Sequence, residues 1–254
     1  MIWIKEQTGV LRQLASMLNA AVPVEISVAR AAIVGFFANF PRGAVAGRTL
    51  DLLGEQGSML HAKKGDTIPL MAGQDTVAFI CEGATKLIAT ASRGREQIVA
   101  FHFKGDLVSI PRSGEHAYSM KALRETQIVL FGAQAFLRVA RDDPGLLEAM
   151  LARTQLALYR CRDKAVGLGK KTATERMASF LIIMAERIGS PVSGGCLLDL
   201  PMSRRDIGDS LGLTIETVSR QLGELRELGL VETDGRSRIF LPDPATLSTR
   251  AGHI

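Results

Sequence analysis

The sequence predicts an α+β chain in which an N-terminal antiparallel β-roll, built like a small sandwich or barrel, is joined by a long helix to a C-terminal winged helix-turn-helix. Three observations carry this prediction. Between about residues 58 and 132, short strand-forming runs alternate with Gly, Asp and Ser clusters. After Asp142, Asp143 and Pro144 no proline recurs until Pro191, so one long helix can run. The stretch "SRRDIGDSLGLTIETVSRQLGELRELGLVE", residues 203–232, sets two apolar stripes of helical period on either side of one Gly.

Taken in order, the first 57 residues read as two apolar helical segments. Val10, Leu11, Leu14, Met17 and Leu18 recur at helical spacing, Pro23 interrupts, and a second apolar run ends at Pro41. In the roll, "TVAFICEG", "TKLIATA", "EQIVAFHF" and "TQIVLFG" are strands, with Gly65, Gly73, Gly83, Gly94, Gly105 and Gly114 at its corners. Along the long helix, Leu147, Leu151, Thr154, Leu158, Cys161, Ala165 and Leu168 recur with alternating spacing of four and three. Such a stripe is either the heptad seam of a two-stranded coiled coil or a face buried within its own domain. Residues 167–171 read as a hinge. A helix ("TERMASFLIIMAERIG"), a strand ("CLLDL"), the two-stripe segment and a hairpin around "TDGRSR" complete the chain. The expected domains are residues 1–57, a helical extension; 58–141, the roll; 142–168, the long helix; and 169–254, the winged helix-turn-helix.

The two-stripe segment carries the functional signal. Ser203 caps a first helix, with Asp206 closing a capping box, and Gly212 ends it. Thr214 caps a second helix. Ile207, Leu211 and Leu213 share an apolar side with Val218, Leu222 and Leu225, and Gly208 lets the helices approach closely. Two short helices with a Gly-bearing three-residue turn make a helix-turn-helix, whose second helix enters the major groove of double-stranded DNA by the outer face of its N-terminal half. Here that face is Glu216, Ser219 and Arg220, one stripe at i, i+3 and i+4, with Thr214 and Thr217 beside it. Arg220 suits guanine O6 and N7, Glu216 the cytosine amine, and Ser219 several base edges. Glu216 and Arg220 also have the spacing of an ordinary surface ion pair. Arg236 and Arg238 on the hairpin, with Ser203, Arg204 and Arg205, are candidates for the phosphates. Residues 170–254 hold eleven basic and eleven acidic residues, so affinity must come from placement rather than gross charge.

Bulk properties exclude other classes. The chain has 254 residues, 46% of them apolar, enough for full cores in two domains. Its most hydrophobic stretch, "VEISVARAAIVGFFANF", is broken by Glu25 and Arg30, so no membrane span is expected. The N-terminus lacks the basic-then-apolar order of a secretion signal, which points to the cytoplasm. Cys81, Cys161 and Cys196 lie too far apart for a disulfide framework or a metal cluster. No Gly-rich phosphate loop and no nucleophile–base grouping is present, so an enzyme is not expected. The net charge of +5 permits a polyanionic partner without requiring one.

This order of parts resembles the Crp/Fnr family of bacterial transcription regulators over roughly residues 58–242. The likeness is strongest in "LGLTIETVSRQL", similar to the FixK and Fnr branch, and in "REQIVAFHFKGDLVSI" of the roll. It implies a roll of the cyclic-nucleotide-binding, jelly-roll type and a homodimer joined through the long helix at Leu147, Leu151, Thr154, Leu158, Cys161 and Ala165. It also implies RNA polymerase as a further partner, and inverted repeats of TTGA type read by Glu216, Ser219 and Arg220. Departures from the family pattern are equally informative. Cyclic-nucleotide binders carry Gly-Glu and, about eleven residues after that Gly, Arg-Ser or Arg-Thr. This chain has Gly105-Asp106 and, seven residues after the Gly, Arg112-Ser113. No cysteine precedes Cys81, so the N-terminal iron-sulfur ligands of Fnr are missing, and Gln221 stands where many members are apolar. His61, His102, His116 and His253 read as surface or hydrogen-bonded structural residues rather than haem ligands. No cofactor is expected. The alternative of the same architecture is an allosteric sensor responsive to a small ligand, haem or redox state.

Overall fold

Uninterrupted apolar runs such as "VAFIC" and "IVLF" belong to strands covered on both faces, since one exposed face would impose alternation. The computed structural model, which describes residues 24–37 and 45–252, bears this out. The roll has eight strands: β1 Ser58–Ala62, β2 Thr67–Ile68, β3 Thr76–Glu82, β4 Ala84–Thr90, β5 Glu96–Phe103, β6 Leu107–Ile110, β7 Ala117–Ala122 and β8 Thr126–Gly132. They form two antiparallel sheets, in the orders β1-β8-β3-β6 and β2-β7-β4-β5. β1 pairs with β8, β2 with β7, β3 with β6 and β4 with β5. This nesting is that of one long hairpin rolled upon itself, a jelly roll. Five of the six predicted corner glycines have positive φ, and Gly114 does not.

The layers explain the burial. Between the sheets lie Ile68, Ile80, Val108, Met120, Ile128 and Leu130. Outside the first sheet lie α1 (Val24–Phe37), α2 (Gly47–Gln56) and α3 (Ala133–Ala140). Phe79 of β3 stacks on Phe36 of α1 at 4.4 Å between ring centroids and meets Phe136 of α3 edge-on at 5.5 Å. The second apolar run of the extension is thus a lid over the roll. The other predicted helix, through Val10 to Leu18, lies outside the described residues. α2 was not expected; it is short, and its apolar residues complete no stripe.

The long helix, α4, runs Pro144–Lys170, with Asp143 as its cap and Pro144 at its first position. Burial alone would raise the Asp143 pKa, but bonds from the Thr49 side chain and the Ala46 and Leu146 amides hold it below the usual carboxylate range. Asp143 thereby ties α4 to the start of α2. Leu146 and Ala149 face the protein. The predicted seam does not: Leu147, Leu151 and Leu158 are 41%, 59% and 48% exposed, and Thr154, Cys161 and Ala165 are exposed as well. A stripe buried within its own domain is therefore not what forms; Leu168 alone of the seven is half-buried. α5 (Ala173–Ile188) follows, opened by a capping box between Thr172 and Glu175. No helix among the described residues is long and apolar enough to cross a membrane.

Phe79, fully buried among Phe36, Phe37, Phe131 and Phe136, anchors the outer layer. Phe79→Ala should destabilise the protein by about 3–5 kcal/mol. Urea unfolding checks this, and a loss below about 1 kcal/mol would show that the lid collapses onto the gap.

Candidate nucleic-acid interface

The first helix of the motif, α6 (Arg204–Leu211), begins with a complete capping box. Ser203 Oγ accepts from the Asp206 N–H at 3.1 Å, and Asp206 Oδ2 accepts from the Ser203 N–H at 2.9 Å. Gly212 ends it in a left-handed conformation, φ 64°. The second helix, α7 (Ile215–Glu227), is capped by Thr214, whose hydroxyl accepts from the Thr217 N–H at 3.2 Å. A Cβ on Gly208 would stand 2.6 Å from the Leu213 carbonyl oxygen, so the close approach at the turn needs glycine. Ile207, Val218, Leu222 and Leu225 are buried in one cluster, with Leu211 and Leu213 packed against it.

With its apolar side anchored, α7 presents the other face outward. Glu216 and Arg220 are exposed and Ser219 is half-buried. The ion pair that spacing allows between Glu216 and Arg220 does not form. Arg220 turns instead toward Glu224, with Nε 3.8 Å from Oε1, and Glu216 has no hydrogen-bond or ion-pair partner among the described residues. Ser219 Oγ accepts from Arg204 Nη1 at 3.3 Å. The wing is the hairpin of β11 (Glu232–Asp234) and β12 (Arg238–Leu241), in one sheet with β10 (Gly195–Asp199) and β9 (Ser190–Val192). Arg204, Arg236 and Arg238 line one shallow crevice between α6, α7 and the wing, Arg238 lying 3.7 Å from Asp234. Ser203, Thr214 and Thr217 are nearby, but their hydroxyls are committed to the caps, Thr214 Oγ1 being 3.1 Å from Thr217 Oγ1.

The other side of α6 is held by the roll. Ile88, Ile98, Phe101 and Phe103 of the second sheet share one apolar cluster with Met177, Phe180 and Leu181 of α5 and with Ile207. Polar bonds rim this contact. Lys86 of β4 pairs with Asp206. Lys164 of α4 donates to the Ile98 and Val99 carbonyls at 2.7 and 3.0 Å and to Ser210 Oγ at 2.9 Å. Arg187 pairs with Asp106, donates to the Phe101 carbonyl at 2.8 Å and lies over the Phe103 ring at 4.5 Å. Arg176 donates to the carbonyls of Leu168, Lys171 and Leu211, binding the end of α4 to the motif's turn. The bonds between roll and motif were not legible in the sequence, because their partners are distant along the chain.

The residues that depart from the family pattern are engaged within the subunit. Asp106 is taken up by the Phe103 N–H at 2.9 Å, by Arg187 and, at 3.7 Å, by Arg160. Arg112 donates to the Gly73 carbonyl and, through its amide, to Asp75. Gln221, standing where many family members are apolar, is buried, and its carboxamide bonds Thr174 and Glu224. His102 departs from the expected surface or hydrogen-bonded histidine. Its Nδ1 is buried with no hydrogen-bond partner among the described residues, and burial pushes its pKa down to about 4. Burial pushes the Cys81 thiol up to about 12. Cys161 is exposed and Cys196 half-buried. His253 lies outside the described residues. No group of three potential metal ligands occurs among those described.

Comparison with known proteins agrees with this geometry. A family model for the Crp-like helix-turn-helix domain matches residues 175–250. The nitrogen fixation regulation protein FixK of Rhizobium meliloti is 34% identical over 168 residues, covering 66% of this chain and 74% of that one. FixK of Bradyrhizobium diazoefficiens is also 34% identical, over 77% of this chain and 82% of its own. Among solved structures, FixK2 from Bradyrhizobium japonicum superposes with a TM-score of 0.68 at 33% identity, over 78% of this chain and 98% of that one.

Lys164 gives the contact between roll and motif a pH signature. Burial lowers its pKa from 10.5 to about 8, with Cys161, one turn away, opposing. Between those values the unfolded chain keeps a proton that the fold has released, so the site's contribution to stability rises with pH across that window and is flat below it. The unfolding free energy of the wild type relative to Lys164→Met should therefore climb from pH 8 to pH 10 in urea melts. A constant difference would place the ammonium in water.

Proposed function

The chain belongs to the Crp/Fnr family of DNA-binding transcription regulators, and on that premise we propose that it reads a TTGA-like inverted repeat as a homodimer. The observation that carries the reading is the outward stripe of Glu216, Ser219 and Arg220 on a helix whose opposite side, Val218, Leu222 and Leu225, is buried. A helix held in that way can enter the major groove without giving up its packing. Arg220 then donates to guanine, Glu216 accepts from cytosine, and Ser219 contacts a neighbouring edge. Arg204, Arg236 and Arg238, with Arg205 beside them, meet the phosphates and set the register.

Dimerisation supplies the second half-site. The exposed stripe of α4, Leu147, Leu151, Thr154, Leu158, Cys161 and Ala165, leaves its leucines uncovered within the subunit, and it packs against the same stripe of a second copy. Two motifs then face half-sites about one helical turn, roughly 34 Å, apart. The roll, residues 58–141, is the sensor-like domain, α4 the dimerisation element, and residues 169–254 the reading domain. The protein acts in the cytoplasm, where RNA polymerase is its further partner.

Two measurements test this. In gel shifts, Arg220→Ala should lose about 1–3 kcal/mol of preference for the guanine of the half-site while keeping weak, salt-sensitive binding. Arg238→Ala should weaken all sequences alike; an unchanged preference in Arg220→Ala refutes the assignment. Leu151→Glu, placing a charge at the most exposed leucine of the seam, should give a monomer in sedimentation and abolish tight binding to the full repeat. A dimer that survives the charge points to another interface.

A further inference from the structure

Gln221 is 4% exposed on the packed side of α7, a place where a carboxamide is costly unless bonded at both ends. It is bonded at both ends. Nε2 donates to Glu224 Oε1 at 3.0 Å, and Oε1 accepts from the hydroxyl of Thr174, in the first turn of α5. The polarity of this chain is forced, because a carboxylate only accepts: the amide nitrogen must face Glu224, and the threonine must donate to the oxygen. The same Glu224 oxygen stands 3.8 Å from Arg220 Nε. Thr174, Gln221, Glu224 and Arg220 therefore form one relay, from the base of α5 to the outward face of α7.

We infer that Gln221 and Glu224 are positioning residues for Arg220, holding its guanidinium by the Nε edge so that its two terminal amino groups are presented to a guanine. Unsupported, an exposed ion pair of this kind is worth little, because both long side chains must be ordered to form it. Here one partner is already fixed by a buried amide. The cost of ordering Arg220 on binding falls accordingly, and it falls only for a base that offers both O6 and N7. The relay sharpens discrimination rather than general affinity. Thr174 lies four residues beyond the end of α4, so the posture of the reading arginine is also set by the segment that carries the motif.

This inference rests on Arg220 reading guanine, as proposed above, and the test separates the two. Full-length protein is titrated against a duplex with intact TTGA half-sites and against one whose guanine is replaced by adenine, and the affinity ratio is taken. Gln221→Leu and, at a half-exposed position that leaves the core untouched, Glu224→Ala should each lower that ratio about three- to tenfold, the scale of ordering one long side chain. Binding to the replaced duplex should stay as in the wild type. In an Arg220→Ala background neither substitution should change anything further. Equal weakening on both duplexes, an unchanged ratio, or full additivity with Arg220→Ala overturns the inference while leaving the guanine reading intact. An Arg220→Ala protein that keeps the wild-type ratio overturns both.

Discussion

The structure depends on a single apolar contact, where the second sheet of the roll meets the reading domain of the same subunit. Phe101, Phe103, Ile98 and Ile88 on one side and Met177, Phe180, Leu181 and Ile207 on the other belong to one cluster, so the two domains share a core rather than a surface. Around that core the polar groups are arranged as a seal. Lys86 reaches Asp206, Lys164 reaches Ser210, and Arg187 reaches Asp106. Asp206 and Ser210 are one turn apart on α6, so a single face of that helix takes two of the three bonds. α6 is thereby gripped from both sides, by the roll on one and by α7 on the other.

Asp206 shows how tightly these levels are joined. Its carboxylate closes the capping box with Ser203, satisfying backbone donors at the start of α6, and it also receives the Lys86 ammonium. Burial alone would raise its pKa, but those partners hold it below the ordinary carboxylate range. The group that starts the helix is therefore also the one that docks it. A charge at a helix N-terminus is favoured by the aligned peptide dipoles in any setting. Here the same charge is reused as an address for a lysine 120 positions earlier in the chain. Local order and interdomain order are stabilised by one side chain, so neither can be loosened without the other.

How much of this was legible in the sequence follows from the range of each interaction. Caps, the Gly212 stop and the stripe of Val218, Leu222 and Leu225 are local, set within one or two helical turns, and they appear where the residue pattern placed them. The exposed face of α4 was legible as a period but not as exposed, because a heptad stripe reads alike whether it faces a partner or its own domain. Short elements left weaker traces: β9 has three residues, and α8 (Pro244–Arg250) fewer than two full turns. Interdomain bonds left none, since Lys164 and Ile98 are 66 positions apart and nothing in either neighbourhood names the other. Gln221 was visible as an oddity. Only the coordinates show that the amide is satisfied, and by whom.

These constraints limit how a signal could reach DNA through this molecule. α7 packs on α6, and α6 touches the roll through β4 and β5 and the long helix through Lys164. A stimulus in the roll can reach the outward face of α7 through those two strands and that lysine, and also through Asp106, which pairs with Arg187 of α5. One that moves them must separate an apolar core and break its surrounding polar bonds together, because neither the strands nor the helix can shift without the other. A packed contact of this kind favours discrete poses over a graded response. A ligand selects between such poses only through a difference in its affinity for them, however tightly it binds overall. An effector that acts through this interdomain contact therefore has to meet β4, β5 or the C-terminal half of α4 differently in the two states, whereas one that acts on the exposed stripe of α4 would work through dimerisation instead.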